Sequence, residues 1–390
     1  MAVHVGIIDQ DPIRLVTPLL DGRNISRHVV FIGDESQETI FQRLNNVLAK
    51  HDITCEFYQI PDVTNSSQIK QSVTKLAEAL KQSGESIKLN ASCGLRHRLL
   101  SVYEVFRSYR WPIFVVEPNS DTLCWLYPDG QEDAQLQDRI TIADYLTIFG
   151  ARAEFNDYEL SPQLDQQLYQ LGEKWASNAL ELGPGLATLN YLATTCRKEQ
   201  RLDVELSEKQ QGYRELNMLL DDLVETRIAS YKNGILTFAS EDARRFSNGE
   251  WLETLVHSTV KQIQDTMPTI QDRSLNVQVY RQLGDREVRN ELDVASVVNN
   301  KLHIIECKTK GMRDDGDDTL YKLESLKDLL GGLQARAMLV SFRPLRYNDI
   351  TRAEDLGLAL IGPDELKDLR HYLIKWFQGA GGVDTNLQAT

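Results

Sequence analysis

The sequence predicts an α/β protein in three parts, and three observations indicate this arrangement. Strand and helix patterns alternate over residues 1–140, mostly helical patterns with Gly and Pro punctuation fill residues 141–232, and strands return over residues 233–390. Strand–helix–strand repeats of this length imply parallel strands joined by right-handed crossovers. We therefore expect an N-terminal doubly wound, Rossmann-like domain, a helical connector that can carry a small winged-helix-like unit, and a second α/β domain.

The elements of the N-terminal domain follow from the spacing of apolar residues. Short apolar runs are typical of buried strands, whereas apolar residues three and four apart are typical of helices. The predicted strands are "HVGIID", "RHVVFIGD", "ITCEFYQI" and "SIKLNAS", and helices between them include "ETIFQRLNNVLAKH" and "SSQIKQSVTKLAEALKQSG". The segment "PIFVVEPNSDTLCWLYPDG" then predicts a hairpin that closes the domain near Gly130.

The C-terminal part begins with the strand "GILTFAS" and predicts helix, strand, hairpin, helix and strand in that order. These elements are "GEWLETLVHSTVKQIQ", "LNVQVYRQ", "NELDVASVVNNKLHIIECKTK", "DTLYKLESLKDLLGG" and "RAMLVSF".

Composition excludes several classes of protein. A net charge of −14 argues against broad coating of nucleic acid by Lys and Arg, although a metal cation can supply positive charge locally. The five cysteines form no CxxC pair, so we expect reduced thiols rather than disulfides or a zinc site. No apolar stretch approaches the roughly 18 residues of a membrane span, and we expect a cytoplasmic protein.

The hairpin over residues 290–310 carries charged residues within apolar runs. If residues 299–300 form a tight turn, counting outwards places Asp293 opposite Glu306 and Glu291 opposite Lys308. Directly opposed side chains have Cβ atoms about 4.5–5.5 Å apart, where like charges destabilise a sheet. Lys308 extends from the same face as Glu306, because it lies two residues further along the strand.

A divalent cation would remove the repulsion between Asp293 and Glu306. Carboxylate oxygens suit Mg²⁺ or Mn²⁺, and Lys308 could orient a water or stabilise charge on a phosphate. The alternative is an ion-pair ladder on an exposed face, with Glu291 paired to Lys308.

A second candidate site follows the strand "SIKLN". Small residues there allow backbone N–H groups to approach a ligand, and a helix N-terminus attracts anions. Doubly wound sheets bind ligands at the carboxyl ends of their strands. The first strand ends in a similar way, at "IIDQDP". An ordinary tight turn is the alternative, since GxGxxG and GK[ST] are both absent. The candidate ligand-binding residues are Asp9, Gln10, Asn90, Ser92, Cys93, Gly94, Leu95 and Arg96, and the nearby Arg98 adds positive charge.

The C-terminal residues resemble the PD-(D/E)xK nuclease motif. Asp293 and the tripeptide Glu306-Cys307-Lys308 match it, with Leu292 in place of the proline. Glu253, in the preceding helix, is similar to the acidic residue that this superfamily often places ahead of the core motif, although a plain surface acid on that helix is the alternative. The resemblance implies a restriction-endonuclease-like fold in which Asp293, Glu306 and Glu253 hold Mg²⁺ or Mn²⁺ and Lys308 positions the attacking water.

Over its whole length the chain resembles the CARF-domain effector nucleases of type III CRISPR systems. Their sensor loop often reads Asn-x-Thr-Gly-Gly-Thr-Lys; here Asn90 and Gly94 match, Ser92 replaces Thr and Arg96 replaces Lys, while Cys93 and Leu95 depart. The resemblance implies a CARF sensor domain at residues 1–140, a connector at 141–232 and a nuclease domain at 233–390. It also implies a homodimer and activation by a cyclic oligoadenylate, with cyclic tetra-adenylate as the first choice.

The sequence therefore predicts a ligand-gated, metal-dependent nuclease that cuts DNA or RNA. The alternative is a nucleotide-sensing transcription regulator whose helical middle binds DNA and whose C-terminal domain is inactive. The chemically intact set of Glu253, Asp293, Glu306 and Lys308 favours the nuclease.

Overall fold

A computed structural model describes residues 2–22, 26–155, 161–310 and 316–379. The five cysteines are free thiols. No helix within these ranges is both long enough and apolar enough to cross a membrane.

The N-terminal domain contains a seven-stranded sheet flanked by helices. Its strands are β1 (Ala2–Ile7), β2 (His28–Gly33), β3 (Thr54–Gln59), β4 (Ser86–Asn90), β5 (Ile113–Glu117), β6 (Thr122–Tyr127) and β7 (Ala134–Gln135). Its helices are α1 (Ile13–Leu20), α2 (Glu38–Ala49), α3 (Ser66–Gln82) and α4 (Arg96–Ser108). The strand order is β3-β2-β1-β4-β5-β6-β7, with β1 to β5 parallel and β6 and β7 antiparallel. The predicted doubly wound sheet and its closing hairpin are confirmed.

The middle of the chain is mostly helical and includes a small antiparallel sheet. Its elements are α5 (Ile142–Ile148), β8 (Ala151–Glu154), α6 (Pro162–Ser177), α7 (Ala179–Lys198), β9 (Asp203–Glu205), α8 (Glu208–Gln211), α9 (Arg214–Glu225), β10 (Ala229–Lys232) and β11 (Ile235–Phe238). The order β10-β11-β9, with α7, α8 and α9 packed around it, is that of a winged helix.

The C-terminal part builds a six-stranded mixed sheet. Its elements are α10 (Glu241–Arg245), α11 (Trp251–Gln264), β12 (Ile270–Leu283), β13 (Arg286–Val298), β14 (Lys301–Lys308), α12 (Gly316–Gly331), β15 (Arg336–Ser341), α13 (Tyr347–Asp355), β16 (Ala359–Ile361) and α14 (Leu369–Phe377). Short 3₁₀ turns cover Glu35–Gln37, Gly332–Gln334 and Leu366–Asp368, and a π-helical segment covers Phe246–Glu250. The order is β16-β15-β14-β13-β12-β8, so the edge strand β8 comes from the middle of the chain. The boundaries at 140 and 232 stay predictions.

Both faces of this second sheet are buried, as the runs of apolar residues in β13 and β14 predict. Helices α6, α11 and α14 pack on one face, with Trp251 at the start of α11 fully buried. The other face packs against α5 and α12 in a core that continues to α1 and α2 of the N-terminal domain. The two sheets therefore share one hydrophobic core.

Candidate active site and ligand site

The hairpin of β13 and β14 turns at two asparagines. Asn299 and Asn300 have φ angles of 48° and 54°, the left-handed conformation that Asn tolerates and that a two-residue hairpin requires. The register runs from Val298 opposite Lys301 to Val294 opposite Ile305. The predicted turn and this part of the predicted register are confirmed.

The two strands separate beyond that point, which corrects the expected pairing of Asp293 with Glu306 and of Glu291 with Lys308. The backbone N–H of Cys307 donates to Asp293 Oδ2 over 2.7 Å instead of joining the ladder. Pairing of β14 continues on its other side, where Lys308 lies opposite Ser341 of β15. Asp293 therefore uses its carboxylate, rather than its backbone, to contact β14.

Three carboxylates nonetheless lie close enough to perturb one another. Burial, reinforced by the charge of Asp293, raises the pKa of Glu253 to about 9. Burial, reinforced by the charge of Glu306, raises the pKa of Asp293 to about 7. The expected cluster of Glu253, Asp293 and Glu306 therefore forms, and its members repel one another.

Two further acids contribute to this cluster. Glu250 lies one helical turn before Glu253, and burial followed by the charge of Glu291 raises its pKa above the ordinary range. Glu291 pairs with Gln278 of β12 and adds to the charge acting on Glu253 and Asp293. The sequence signal for Glu250 is its spacing of three residues from Glu253, which places the two side chains on neighbouring positions of a helix surface.

Lys308 lies within the same group of side chains. Its Nζ is 2.5 Å from Glu306 Oε1. Burial alone would lower the pKa of Lys308, but the carboxylates of Glu306 and Asp293 raise it above its ordinary value. The side chain is therefore an ammonium at neutral pH, able to donate hydrogen bonds and stabilise negative charge.

The carboxylates fit a divalent cation by their chemistry. Among the described residues, no three His, Cys, Asp or Glu side chains are gathered into a finished ligand cage. However, Glu253 and Asp293 offer oxygen donors whose mutual repulsion a cation would relieve, and such donors suit Mg²⁺ or Mn²⁺. Water or phosphate oxygens would supply the remaining ligands.

This repulsion predicts how stability depends on pH without metal. Glu253 and Asp293 have folded pKa values raised above those of the unfolded chain, about 4 for carboxyl groups. The contribution of these two groups to the free energy of unfolding is thus fully present below about pH 4 to 5. It is lost as pH rises through about 7 for Asp293 and about 9 for Glu253. In EDTA, we expect the midpoint of urea unfolding to fall between pH 5 and pH 9, and saturating Mn²⁺ to reduce that fall.

Two isosteric variants check the source of the effect. Glu253→Gln and Asp293→Asn should each flatten the pH dependence in EDTA, whereas Glu78→Gln, on the exposed side of α3, should leave it unchanged. A wild-type midpoint that is level or rises over this range would contradict a mutually repelling buried cluster.

The candidate ligand site lies where the order of the first sheet reverses direction. Strands β1 and β4 are neighbours there, and connections leave toward β2 on one side and β5 on the other. Asp9 and Gln10 follow β1, and Asn90 ends β4, so the structure brings the two predicted segments together. Asp9 Oδ2 accepts a hydrogen bond of 3.1 Å from the backbone N–H of Gly94. This crevice is the place where doubly wound sheets bind ligands.

Several of the predicted side chains build the loop itself. Asn90 is fully buried; its Nδ2 donates to the Arg14 carbonyl, and its Oδ1 accepts from the backbone and hydroxyl of Ser92. Cys93 is buried, and its Sγ contacts the carbonyl of Asp11. Gly94 has a φ of 114°, and a Cβ there would lie 2.8 Å from Ile7. The roles of these residues as ligand contacts stay predictions.

The remaining candidates differ in exposure. Gln10, Leu95 and Arg96 are exposed at the mouth of the crevice, where the N-terminus of α4 begins. Arg98 is instead buried in ion pairs with Asp34 and Asp62, so its charge is compensated within the protein.

A contact between α7 and the active site had no signal in the sequence. Thr309, which follows Lys308, accepts a long hydrogen bond of 3.4 Å from Asn190 of α7. Gly249 has a φ of 122°, and a Cβ there would lie 2.5 Å from the Thr309 hydroxyl. Thr194 of α7 also donates to Asn248 Oδ1 over 2.9 Å, so α7 contacts both the end of β14 and the π-helical segment before α11.

Comparison with known proteins identifies relatives of each part. The family model of the Card1-like endonuclease domain matches residues 240–380. The crystal structure of protein VC1899 from Vibrio cholerae is 80% identical, with a TM-score of 0.95, and the match covers 98% of this chain and 99% of that one. A search of curated proteins finds no match.

Two more distant solved structures share the fold. Can2 from Sulfobacillus thermosulfidooxidans, in complex with cyclic tetra-adenylate, is 23% identical, with a TM-score of 0.78 and coverage of 97% of this chain and 99% of that one. A type III CRISPR defence DNA nuclease activated by cyclic oligoadenylate is 13% identical, with a TM-score of 0.55 and coverage of 94% and 51%. The expected combination of a CARF-type domain with an endonuclease domain is confirmed at the level of fold.

Proposed function

Because this chain belongs to the family of protein VC1899 and carries the Card1-like endonuclease domain of a CARF-domain effector nuclease, we propose that it is a metal-dependent nuclease switched on by a cyclic oligoadenylate. The observation that carries the proposal is that residues 240–380 contain the whole cluster of Glu253, Asp293, Glu306 and Lys308. Buried carboxylates that repel one another destabilise the folded state unless a bound cation compensates for the repulsion, and such perturbed groups are typical of catalytic sites.

The side chains divide the work of phosphodiester hydrolysis between them. Asp293, Glu306 and Glu253 would hold Mg²⁺ or Mn²⁺, which supplies positive charge next to the phosphate. Lys308 is protonated, so it cannot serve as the base; it orients the attacking water and stabilises negative charge on the phosphate oxygens. Glu306 fixes the Lys308 ammonium through their 2.5 Å ion pair. The expected product carries a 5′-phosphate.

The activator would bind at the crevice between β1 and β4. Can2, which has the same fold, is in complex with cyclic tetra-adenylate, and this ligand is our first choice. Gln10, Leu95 and Arg96 line the open mouth, and the N-terminus of α4 favours an anion. We propose a homodimer in which one ring-shaped ligand contacts two such crevices and shifts the balance between two arrangements of the nuclease domains.

The negative charge of α9 argues against the alternative function, a DNA-binding regulator. The middle does form a winged helix, but α9, the helix in the recognition position, carries Glu215, Asp221, Asp222 and Glu225 against one Arg214. An acidic helix would be repelled by the phosphates of a DNA groove. A role of this unit in positioning the nuclease domain agrees better with the contact between Asn190 and Thr309.

The test of the proposed function is a cleavage assay of the purified protein. We expect Mn²⁺ with cyclic tetra-adenylate to support cleavage of plasmid DNA, single-stranded DNA or single-stranded RNA at a rate at least tenfold above that without activator. EDTA should abolish it. Absence of cleavage of all three substrates would refute the nuclease, whereas cleavage indifferent to the activator would refute only the gating.

A further inference from the structure

A groove of about 690 Å³ opens beside the active site, between α6, α11 and β12. Glu250, at its near end, is one helical turn from Glu253. Further along the same face of α11, the groove is lined by His257 and Lys261, and Arg273 of β12 faces them. The groove is therefore continuous with the carboxylate cluster and extends for several turns of α11 away from it.

Arg273 is held in this groove by neutral partners. Its Nε donates to Gln264 Oε1 over 2.9 Å, and its Nη1 lies 3.0 Å from His257 Nε2. Since an arginine can only donate, His257 accepts this hydrogen bond, and burial lowers the pKa of His257 to about 4, which keeps it uncharged. Among the described residues, no carboxylate oxygen lies within 4 Å of the Arg273 guanidinium, although Asp272, Asp165 and Asp265 act on it at longer range.

The other cations of the groove are compensated. Lys261 is paired with Asp165 at 3.0 Å. Arg245 is paired with Asp242 at 3.5 Å and with Glu250 at 3.3 Å. Arg273 is therefore the cation of this groove whose close contacts, within the described part of the chain, leave its positive charge for a ligand.

We propose that Arg273, oriented by His257 and Gln264, binds a backbone phosphate of the polynucleotide substrate next to the phosphate that is cleaved. Glu253 and His257 are four residues apart on α11, about 6 Å along the helix axis. A B-form strand rises about 3.4 Å per nucleotide along its axis, and its phosphates, on the outside of the helix, are further apart than this rise, so the separation is on the scale of one nucleotide step. A planar guanidinium with fixed orientation suits a phosphate, to which it can donate two parallel hydrogen bonds.

This inference rests on the proposed nuclease function, and its test separates substrate binding from chemistry. Under activated conditions with Mn²⁺, we expect Arg273→Ala to raise KM for a labelled oligonucleotide about tenfold, as loss of a charged hydrogen bond implies, with kcat changed less than threefold. The salt dependence of binding should also weaken by about one phosphate contact. A residue that only braces the fold would lower kcat or stability without changing the salt slope.

Matched variants control for charge and for folding. Arg281→Ala removes the same charge from the far end of the same strand and should change KM less than twofold. Gln264→Ala keeps the guanidinium but loosens it and should give an intermediate KM. Arg273→Gln is the second variant if Arg273→Ala unfolds, judged by its circular dichroism melt. A KM and salt slope of Arg273→Gln equal to those of wild type would overturn the proposal.

Binding of the oligonucleotide is measured independently of its cleavage. Fluorescence anisotropy of the same oligonucleotide is measured with Mn²⁺ in a Lys308→Ala background, with and without Arg273→Ala. If wild type cleaves nothing but Arg273→Ala weakens binding, the nuclease function fails and the phosphate site stands. If wild type cleaves and Arg273→Ala binds normally, the nuclease stands and the phosphate site fails.

Discussion

Lys308→Ala is expected to reduce cleavage by about 10²- to 10⁴-fold at saturating activator and Mn²⁺, the range typical for removing one group that stabilises the transition state. The ammonium of Lys308 is fixed by Glu306 and lies in the field of Asp293. Arg245, a described cation that also touches the cluster, pairs instead with Glu250 and Asp242. The loss should appear mainly in kcat, because the interaction strengthens as charge develops on the phosphate. Single-turnover cleavage of an end-labelled oligonucleotide measures it.

Lys310→Ala is the matched control for this experiment. Lys310 is exposed and lies two residues further along the chain. Its replacement removes the same charge, so the cleavage rate of this variant should stay within about twofold of wild type. Urea midpoints of both variants in Mn²⁺ establish that folding is intact. Retention of wild-type kcat by Lys308→Ala would remove this residue, and with it the assigned chemistry, from the active site.

Much of the geometry of the candidate site could be predicted, because three of its residues lie on one hairpin. A two-residue turn at Asn299 and Asn300 fixes the register of β13 and β14, and register fixes which side chains share a face. The PD-(D/E)xK resemblance then identified Glu253, which lies far from the hairpin in sequence. Alternation of strands and helices similarly placed Asp9 and Asn90 at the same edge of the first sheet.

Other features depend on contacts between distant segments, which periodicity does not encode. The paired register of β13 and β14 ends at Val294, and the Cys307 N–H donates to the Asp293 carboxylate, whereas a pairing rule assumes that the ladder continues. The inclusion of β8 in the second sheet requires the chain to cross between domains. Arg273 carries no signal in sequence, because its partner His257 is brought to it only when α11 packs on β12.

The turn of the hairpin formed by β13 and β14 is where the N-terminal domain contacts this hairpin. Asn300 is buried, and its Nδ2 donates to Asp121 in the turn between β5 and β6. Its Oδ1 accepts from Gln271 Nε2 over 2.9 Å and from the backbone of Arg139 over 3.3 Å. The side chain of Lys301 donates to the Asn119 carbonyl over 2.7 Å. The N-terminal domain thus contacts one end of a hairpin whose other end carries Glu306 and Lys308.

Asn300→Ala is accordingly expected to weaken both stability and activation. It leaves the buried Asp121 carboxylate without its hydrogen-bond donor, at a cost of about 1–3 kcal/mol. Gln271 keeps its hydrogen bond to the Ile140 carbonyl and the one it accepts from the backbone N–H of residue 300. Motion of the sensor domain would then be passed less completely to the hairpin, and we expect stimulation by cyclic tetra-adenylate to fall at least fivefold, the lower end of typical allosteric coupling. Basal cleavage with Mn²⁺ alone should change little, because the active-site carboxylates are untouched.

Asn299→Ala is the control that separates the loss of the Asn300 side-chain contacts from the cost of placing Ala in the turn. Both asparagines have positive φ, so both variants bear the same strain of about 1–2 kcal/mol for Ala in the left-handed region. Of these two residues, Asn300 is the one whose side chain contacts the N-terminal domain in the described part of the chain, and the difference between the two variants measures that contact. Equal stimulation of the two variants by the activator would show that coupling bypasses the hairpin turn. It would then have to pass through the shared core or through Asp11, which accepts a 3.1 Å hydrogen bond from the Leu333 backbone.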